Sequence, residues 1–442
     1  MTSFYRAFRF GISWLLGLFF RIEPPVDPHG GLSLQGPVIY VGNHPNGLVD
    51  PGLVFVLAQR QITFLAKAPL FPIPVLGSIL RGMGALPVYR KQDDPTQMAK
   101  NDGTLAASVK ALTSNGALAI FPEGKSHSEP QLQELKTGCA RIALEATKQG
   151  HPVRIVPIGL TYWEKNRFRS KVRVELGPAI DVAAFAPKEG EDAFEAAKRL
   201  TNAIAEALRA LTLQLEQWDD LPLIKTAEAL YALKTGQEAN DGERLRHFAK
   251  GMQLLREEQP ERFEALKQQV HAYQHRLELV RTRADRIPVE YRGDTVAWFV
   301  VRNLLVLIGA PLFLAGMLLF VIPYWIPIAV VALTKPKDDV EATIKVLTLL
   351  VLAPLWTAVL AVLAWTFLGT GLGILALVAA LPLALFTRYY LERRVRAWRD
   401  ARTFFVLLSR QRLHSQLVAQ GEHIAAELEA VTKELRPRVE AA

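Results

Sequence analysis

Between Thr295 and Thr387 the chain is almost free of charge, and no other feature limits its folding as strongly. Outside one polar island, TKPKDDVEATIK at residues 334–345, the stretch holds a single Lys, Arg, Asp or Glu, which is Arg302. About 20 consecutive apolar residues suffice to cross a bilayer. The region therefore predicts membrane-spanning helices, and the chain reads as an integral membrane protein. Two arrangements fit Val296 to Leu333: one long span kinked at Pro311, Pro323 and Pro327, or a tight hairpin turning near Pro323. Residues 344–387 are too long for one span, and GTGLG at 369–373 reads as a turn between two helices. Basic residues favour the cytosolic side. Arg292 precedes the region, Lys335, Lys337 and Lys345 mark the island, and Arg388, Arg393, Arg394, Arg396, Arg399 and Arg402 follow. Two hairpins, hence four spans, would keep all of these inside.

The 442 residues allow two or three domains. The formal net charge of +9 fits an anionic membrane surface better than nucleic acid when it stands beside such spans. Cys139 is the only cysteine, which excludes an intrachain disulfide and a thiolate metal cluster. At the amino end, MTSFYRAFRFGISWLLGLFFRIEPP is basic and then apolar. Its uncharged core from Phe10 to Phe20 is too short to span, and no small-residue cleavage site follows. The aromatic residues with Arg6, Arg9 and Arg21 suit a helix lying in the membrane interface. An ordinary buried helix is the alternative.

Short β-rich runs lie between Gly36 and Leu176: GPVIYVGN, ITFLAK, GALPVYR, GALAIFPEG and VRIVPIGLTYW. They alternate with helical stretches, which predicts an α/β domain around a sheet of buried strands. From Pro187 to about Arg292 the composition shifts to Ala, Glu, Leu, Lys, Arg and Gln at helical spacing. Five regions result: an interfacial membrane-anchoring helix at 1–35, an α/β domain at 36–186, a helical extension at 187–292, the transmembrane region at 293–389 and a basic helical tail at 390–442.

The polar oddities cluster at the ends of the α/β strands, where loops carry functional groups on a rigid scaffold. VGNHPNGLVDPG, residues 41–52, turns at Pro45, Asn46 and Gly47, and Asp50-Pro51 reads as a helix N-cap followed by proline. Residues six apart sit on different faces of a regular helix, so His44 and Asp50 meet only if the turn brings them together. GALPVYRKQ ends in Arg90-Lys91, and FPEGKSHSEP carries Glu123-Gly124, Lys125 and His127. A histidine with a carboxylate partner and cations nearby is what deprotonating a hydroxyl on an anionic substrate requires. Each element also has a plain reading. Asp50 can merely cap a helix, Arg90 can be a surface charge, and Glu123, Lys125 and Lys136 can be solvated. His127 is a rival base with only Glu129 close in sequence.

Taken in order, NHPNGLVDP, GALPVYR, FPEGKSHSEP and VPIGLTY resemble the four sequence blocks of the glycerolipid acyltransferase superfamily. That superfamily acylates glycerol 3-phosphate, dihydroxyacetone phosphate and lysophosphatidate. The likeness is greatest to the fungal-type glycerol-3-phosphate/dihydroxyacetone-phosphate branch, which also follows its Phe-Pro-Glu-Gly with Ser-His. LTLQLEQWDDLPLIKTAEALY, residues 211–231, looks like a post-catalytic segment of that branch, so the resemblance covers about residues 36–232. It implies an α/β acyltransferase domain with a mixed sheet flanked by helices, followed by a helical region and C-terminal transmembrane helices.

The same resemblance implies roles. His44 would be the general base and Asp50 its orienting carboxylate. Arg90 would pair with the acceptor phosphate, and Glu123 and Gly124 would shape the acceptor site with Lys125 as a second phosphate contact. Pro157 would shape the acyl-side wall, and Asn46 and Gly47 of the turn group with the substrate-binding residues. No metal or bound cofactor is called for, because acyl-CoA or acyl-ACP is a substrate. The expected partners are that donor, glycerol 3-phosphate or lysophosphatidate, and the phospholipid bilayer, with the catalytic domain facing the cytosol. The family writes its first block with four residues between histidine and aspartate, whereas five intervene here. If the turn fails to absorb the extra residue, the alternative is a catalytically inactive lipid-binding or membrane-organising protein on the same fold.

Overall fold

A computed structural model describes residues 3–441 except 75, 91–92, 237–240, 281, 283, 285–286 and 288–307; for 4, 392, 395–409 and 436–441 it describes the backbone alone. Arg292, Arg302 and the start of the expected first span lie outside the described residues, as does Lys91. The chain divides into two compact units, residues 1–214 with 331–347, and residues 215–330 with 348–442.

The first unit is built on a mixed sheet in the order β1-β7-β6-β2-β5-β3-β4, with β8 pairing β6. The strands are β1 (Arg21–Ile22), β2 (Val38–Gly42), β3 (Ile62–Lys67), β4 (Leu86–Val88), β5 (Ala117–Ile120), β6 (Arg154–Tyr162), β7 (Lys171–Leu176) and β8 (Ile180–Asp181). β2, β3, β4, β5 and β6 run parallel, and β7 and β8 lie antiparallel to β6. Five strand ends therefore open on one edge of the sheet, where α/β folds collect their ligand-binding loops. Central strands β2 and β5 are buried along their whole length. They accordingly read as unbroken apolar runs, VIYVG and ALAI, rather than as alternating patterns.

Helix α3 (Leu76–Gly82) leads into β4, and helices α4 (Asn101–Thr113), α5 (Gly138–Lys148) and α6 (Ala193–Leu211) supply Leu112, Ala140, Ala143, Leu200 and Leu208 to a common core with Ile39, Val41, Leu118 and Ile155. The unit thus extends past residue 186, because the apolar face of α6 completes this core.

Helix α1 (Ser3–Phe19) also belongs to this unit. Its Tyr5, Leu15, Leu16 and Phe19, and the adjacent Phe20, are buried, and Tyr5 and Phe8 pack on Phe55 of α2 (Val49–Leu57). Arg9, expected at lipid headgroups, instead donates to the Val56 carbonyl at 2.7 Å. The buried face matches the alternative of an ordinary structural helix, while Phe10 and Trp14 remain exposed on the outer side.

In the second unit, α7 (Asp220–Thr235), α8 (Gly242–Glu258) and α9 (Pro260–Leu279) pack with the carboxyl-terminal helix Gln411–Ala441. Leu417, Ile424 and Leu428 of that helix are fully buried, and Arg262 pairs with Glu434 at 2.8 Å. The end of the basic tail is therefore a bundle helix. Three helices among the described residues are long and apolar enough to cross a membrane, at Ala310–Thr334, Asp338–Leu368 and Thr370–Leu391. Helix Ala310–Thr334 runs unbroken through Pro323 and Pro327, so the reversal considered near Pro323 does not form. Gly369, at φ +93°, separates the second and third helices where GTGLG suggested a turn.

Replacing Phe19, which is 1% exposed, by Ala is expected to cost about 3–5 kcal/mol of stability through lost burial and a residual cavity. Phe10→Ser, at a 76% exposed position, is expected to stay within about 0.5 kcal/mol. Denaturation midpoints of the two variants against the parent check this contrast.

Candidate active site

The turn after β2 brings His44 and Asp50 together. Gly47 adopts φ +26°, and the N–H groups of Val49 and Asp50 both donate to the Asn46 carbonyl, closing the turn onto α2. His44 Nδ1 lies 2.8 Å from Asp50 Oδ2, so five intervening residues are accommodated. Asp50 is not the helix cap that the sequence suggested. It sits inside the first turn of α2, with Leu48 at the cap position and Pro51 following it. Proline is tolerated there because an N–H in the first turn has no intrahelical acceptor.

The Asp50 carboxylate is fully buried and held by three donors. Oδ2 accepts from the Asn46 N–H at 2.6 Å as well as from His44, and Oδ1 accepts from the Tyr162 hydroxyl at 2.5 Å. An ionised carboxylate accepts only, so His44 must donate through Nδ1 and carry its lone pair on Nε2. The ring is 13% exposed and stacks on Phe121 with centroids 4.4 Å apart. Nε2 receives no hydrogen bond from the described residues. Tyr162 was not singled out in the sequence, although it closes the fourth block, VPIGLTY. Burial, and then the neighbouring Asp50 charge, raise its pKa well above the ordinary value, so the phenol stays protonated and keeps donating.

Glu123, after β5, fastens the second loop to the first. Its carboxylate accepts from the His44 N–H at 2.8 Å, from the Gln133 N–H at 2.9 Å and from His127 Nε2, while the His127 N–H donates to the His44 carbonyl. His127 Nδ1 accepts from the Glu129 N–H at 3.2 Å. Both nitrogens of the rival base are thus occupied, whereas His44 has one free. Asn43 completes the frame, exchanging side-chain hydrogen bonds with Leu160 at 2.8 and 3.1 Å in extension of the β2–β6 ladder.

Arg90, past β4, reaches this edge and donates to the Gly124 carbonyl at 3.2 Å. Gly124 holds φ +73°, a backbone state that a side chain would strain. The Arg90 guanidinium also grips Asp93 with two 2.6 Å hydrogen bonds, which hold that carboxyl below its usual range. Lys67, the last residue of β3, joins the same electropositive corner. Burial, then the charge of Arg90, lower its pKa, with Lys337 adding and Asp93 and Asp339 opposing. Lys125 is exposed. The Asn46 amide is fully buried, with neither polar atom hydrogen-bonded to the described residues. Pro157 sits within the sheet opposite Val41, its carbonyl accepting from the Gly177 N–H at 3.0 Å. Among the described residues no three His, Cys, Asp or Glu side chains gather as a metal set.

Fold and site together define an α/β protein in which a carboxylate-oriented histidine, free at Nε2, opens at strand ends beside a cationic corner. Residues 26–161 match the family model described as Acyltransferase. An uncharacterized acyltransferase of Schizosaccharomyces pombe is 32% identical over 325 residues, which cover 52% of this chain and 47% of that protein. Glycerol-3-phosphate O-acyltransferase 1 of Saccharomyces cerevisiae is 35% identical over 130 residues, 27% of this chain and 16% of the yeast protein. A chloroplastic 1-acyl-sn-glycerol-3-phosphate acyltransferase of Brassica napus is 32% identical over 128 residues, 29% and 34% of the two chains. The chain thus spans about half the length, or less, of these relatives.

Tyr162→Phe removes one of the three donors to Asp50 while keeping the ring. A lost hydrogen bond of about 1–1.5 kcal/mol predicts roughly a tenfold slower reaction, read as kcat. The raised phenol pKa also stabilises the fold below the unfolded-state value near 10.0, and this is lost as pH rises through the folded value. Titration above pH ~10 is therefore expected to destabilise the parent more than the Phe variant.

Proposed function

We propose that this protein transfers a fatty acyl group from an acyl thioester to the hydroxyl of glycerol 3-phosphate or 1-acylglycerol 3-phosphate, in phospholipid synthesis. The observation that carries this reading is the 2.8 Å His44–Asp50 hydrogen bond, with Nε2 left open at the sheet edge. Nε2 takes the proton of the acceptor hydroxyl as its oxygen attacks the thioester carbonyl. Asp50 fixes the tautomer and stabilises the imidazolium that forms, as a carboxylate does in hydrolytic triads. Collapse of the tetrahedral intermediate breaks the C–S bond, and the imidazolium returns its proton to the departing thiolate. His44 makes no hydrogen bond to a serine, threonine or cysteine among the described residues. The acceptor's own hydroxyl is thus the nucleophile, and no acyl-enzyme forms.

Arg90 and Lys67 supply the positive field for the acceptor phosphate. Arg90 enters already oriented by Asp93 and the Gly124 carbonyl, so its fork needs little reorganisation to meet a phosphate. The acyl donor is acyl-CoA or acyl-ACP, used as substrate with no bound cofactor. The catalytic unit works at the cytosolic membrane surface, a placement supported by the basic residues around the apolar helices.

Purified full-length protein in lipid nanodiscs, given acyl-CoA or acyl-ACP with each acceptor, is expected to release free thiol and acylated phosphate ester. His44→Ala is expected to lower turnover by about 100-fold to 10,000-fold, the usual contribution of a general base. Near-parental turnover in that variant would refute the assignment of the base. Arg90→Ala is expected to raise the acceptor KM more than the donor KM, with Lys restoring it in part. A selective rise in donor KM would move Arg90 to the carrier side.

A further inference from the structure

The polar island between the first two apolar helices has no part in the chemistry described so far, yet it belongs to the catalytic unit. Its residues open the helix Asp338–Leu368. Asp339 and Thr343 stand one turn apart and so share a face. Both are buried, at 7% and 6% exposure, although each is polar and follows directly on an apolar helix.

Thr343 Oγ1 accepts from the Leu48 N–H at 3.1 Å. Leu48 is the cap residue of α2, and no side-chain cap bond is made from that position. Thr343 thereby takes up a donor at a helix start that has no acceptor within the helix. The approach is close: a Cβ at Gly47 would fall 2.8 Å from Thr343 Oγ1 and 3.1 Å from the Asp339 carbonyl oxygen. Asp339 Oδ2 accepts from the Ser126 hydroxyl at 2.5 Å, next to His127 in the second loop. Asp338 pairs with Lys165 at 2.7 Å, and the same Lys165 ammonium donates to the Pro45 carbonyl at 3.2 Å. Lys345 donates to the Asn166 carbonyl at 2.8 Å. One short stretch of helix thus touches the His44–Asp50 turn, the Glu123–His127 loop and the residues following β6.

We propose that residues 338–345 are a positioning element of the active site, in which Thr343 fixes the turn between His44 and Asp50 and Asp339 fixes the loop that carries Glu123. This rests on the acyl-transfer reading above. Neither residue touches His44, so both act through the backbone they hold. The longer turn explains the need. With five residues between base and carboxylate, the segment Pro45–Leu48 has a conformation that Asn46 and Gly47 permit but do not enforce. Contacts from outside the turn select it.

The test uses full-length protein in nanodiscs and whichever acceptor the parent turns over. Thr343→Val keeps the shape and removes the acceptor oxygen. It is expected to lower kcat about tenfold, the worth of one hydrogen bond, with donor and acceptor KM within about twofold. Thr343→Ser is expected to return kcat to within about threefold of the parent, because the hydroxyl is restored. A Val variant with parental kcat, or one that loses only thermal stability, overturns the proposal while leaving acyl transfer intact. If Thr343→Val does not fold, Ser126→Ala must show the same fall in kcat at constant KM, and unchanged kcat there overturns it equally. A parent that acylates neither acceptor refutes the acyl-transfer reading instead. Hydrogen exchange then decides the positioning claim, since faster exchange of residues 46–50 in Thr343→Val supports it and unchanged exchange defeats it.

Discussion

A single buried carboxylate organises the candidate active-site edge of this protein. Taking the Asp50 charge out of water is costly unless every lone pair that matters is met. The structure meets it with a backbone N–H from the turn, a phenol from β6 and the imidazole of His44. Two donors come from the turn after β2 and the third from β6, so the carboxylate on α2 is satisfied only when the turn, the sheet and that helix are all in place. The same three bonds leave His44 with one tautomer and one open nitrogen. Stability and reactivity thus depend on the same contacts, and a substitution at any donor is felt in both.

Glu123 repeats this logic one loop further out. Its side chain is spent on the protein's own donors, two backbone N–H groups and His127. It works as a clasp between the loops after β2 and β5, and Gly124 beside it presents a carbonyl to Arg90. The cationic corner and His44 are therefore linked through the Glu123 side chain and the backbone of the next residue, Gly124. Such a chain of short contacts ties the Arg90 guanidinium to the His44 backbone, the kind of fixed placement that the proposed reaction between two oriented groups requires.

Much of this arrangement was legible in the residues. ITFLAK is β3 to the residue, and VIYVG, ALAI and RIVPIGLTY lie within the apolar runs read as strands. Where a strand is buried on both faces, its composition alone announces it. β7 was passed over because KVRVEL alternates charged and apolar residues and follows a polar loop. Tyr162 and the Asp338–Lys345 stretch were missed for another reason. Their partners lie more than a hundred positions away, and no local pattern distinguishes a hydroxyl that meets Asp50 from one that meets water. The reversal considered at Pro323 failed because proline breaks an isolated helix more readily than one packed among neighbours. The apolar stripe of helix α1 through Tyr5, Leu15, Leu16 and Phe19 is legible in its helical spacing, whereas whether that stripe meets lipid or protein is not.

The Gly47 turn changes what the first sequence block means. A motif written as a histidine, a fixed number of residues and an aspartate describes a count, whereas the chemistry needs only a 2.8 Å separation between two ring and carboxylate atoms. Here one additional residue is absorbed by a positive φ at Gly47 and an adjoining helical surface that holds the longer arc in shape. Insertion length is then a tunable property of the loop, provided that something else in the fold supplies the missing restraint. The length of the arc and the residues of a helix 295 positions further along are in this sense one design variable rather than two.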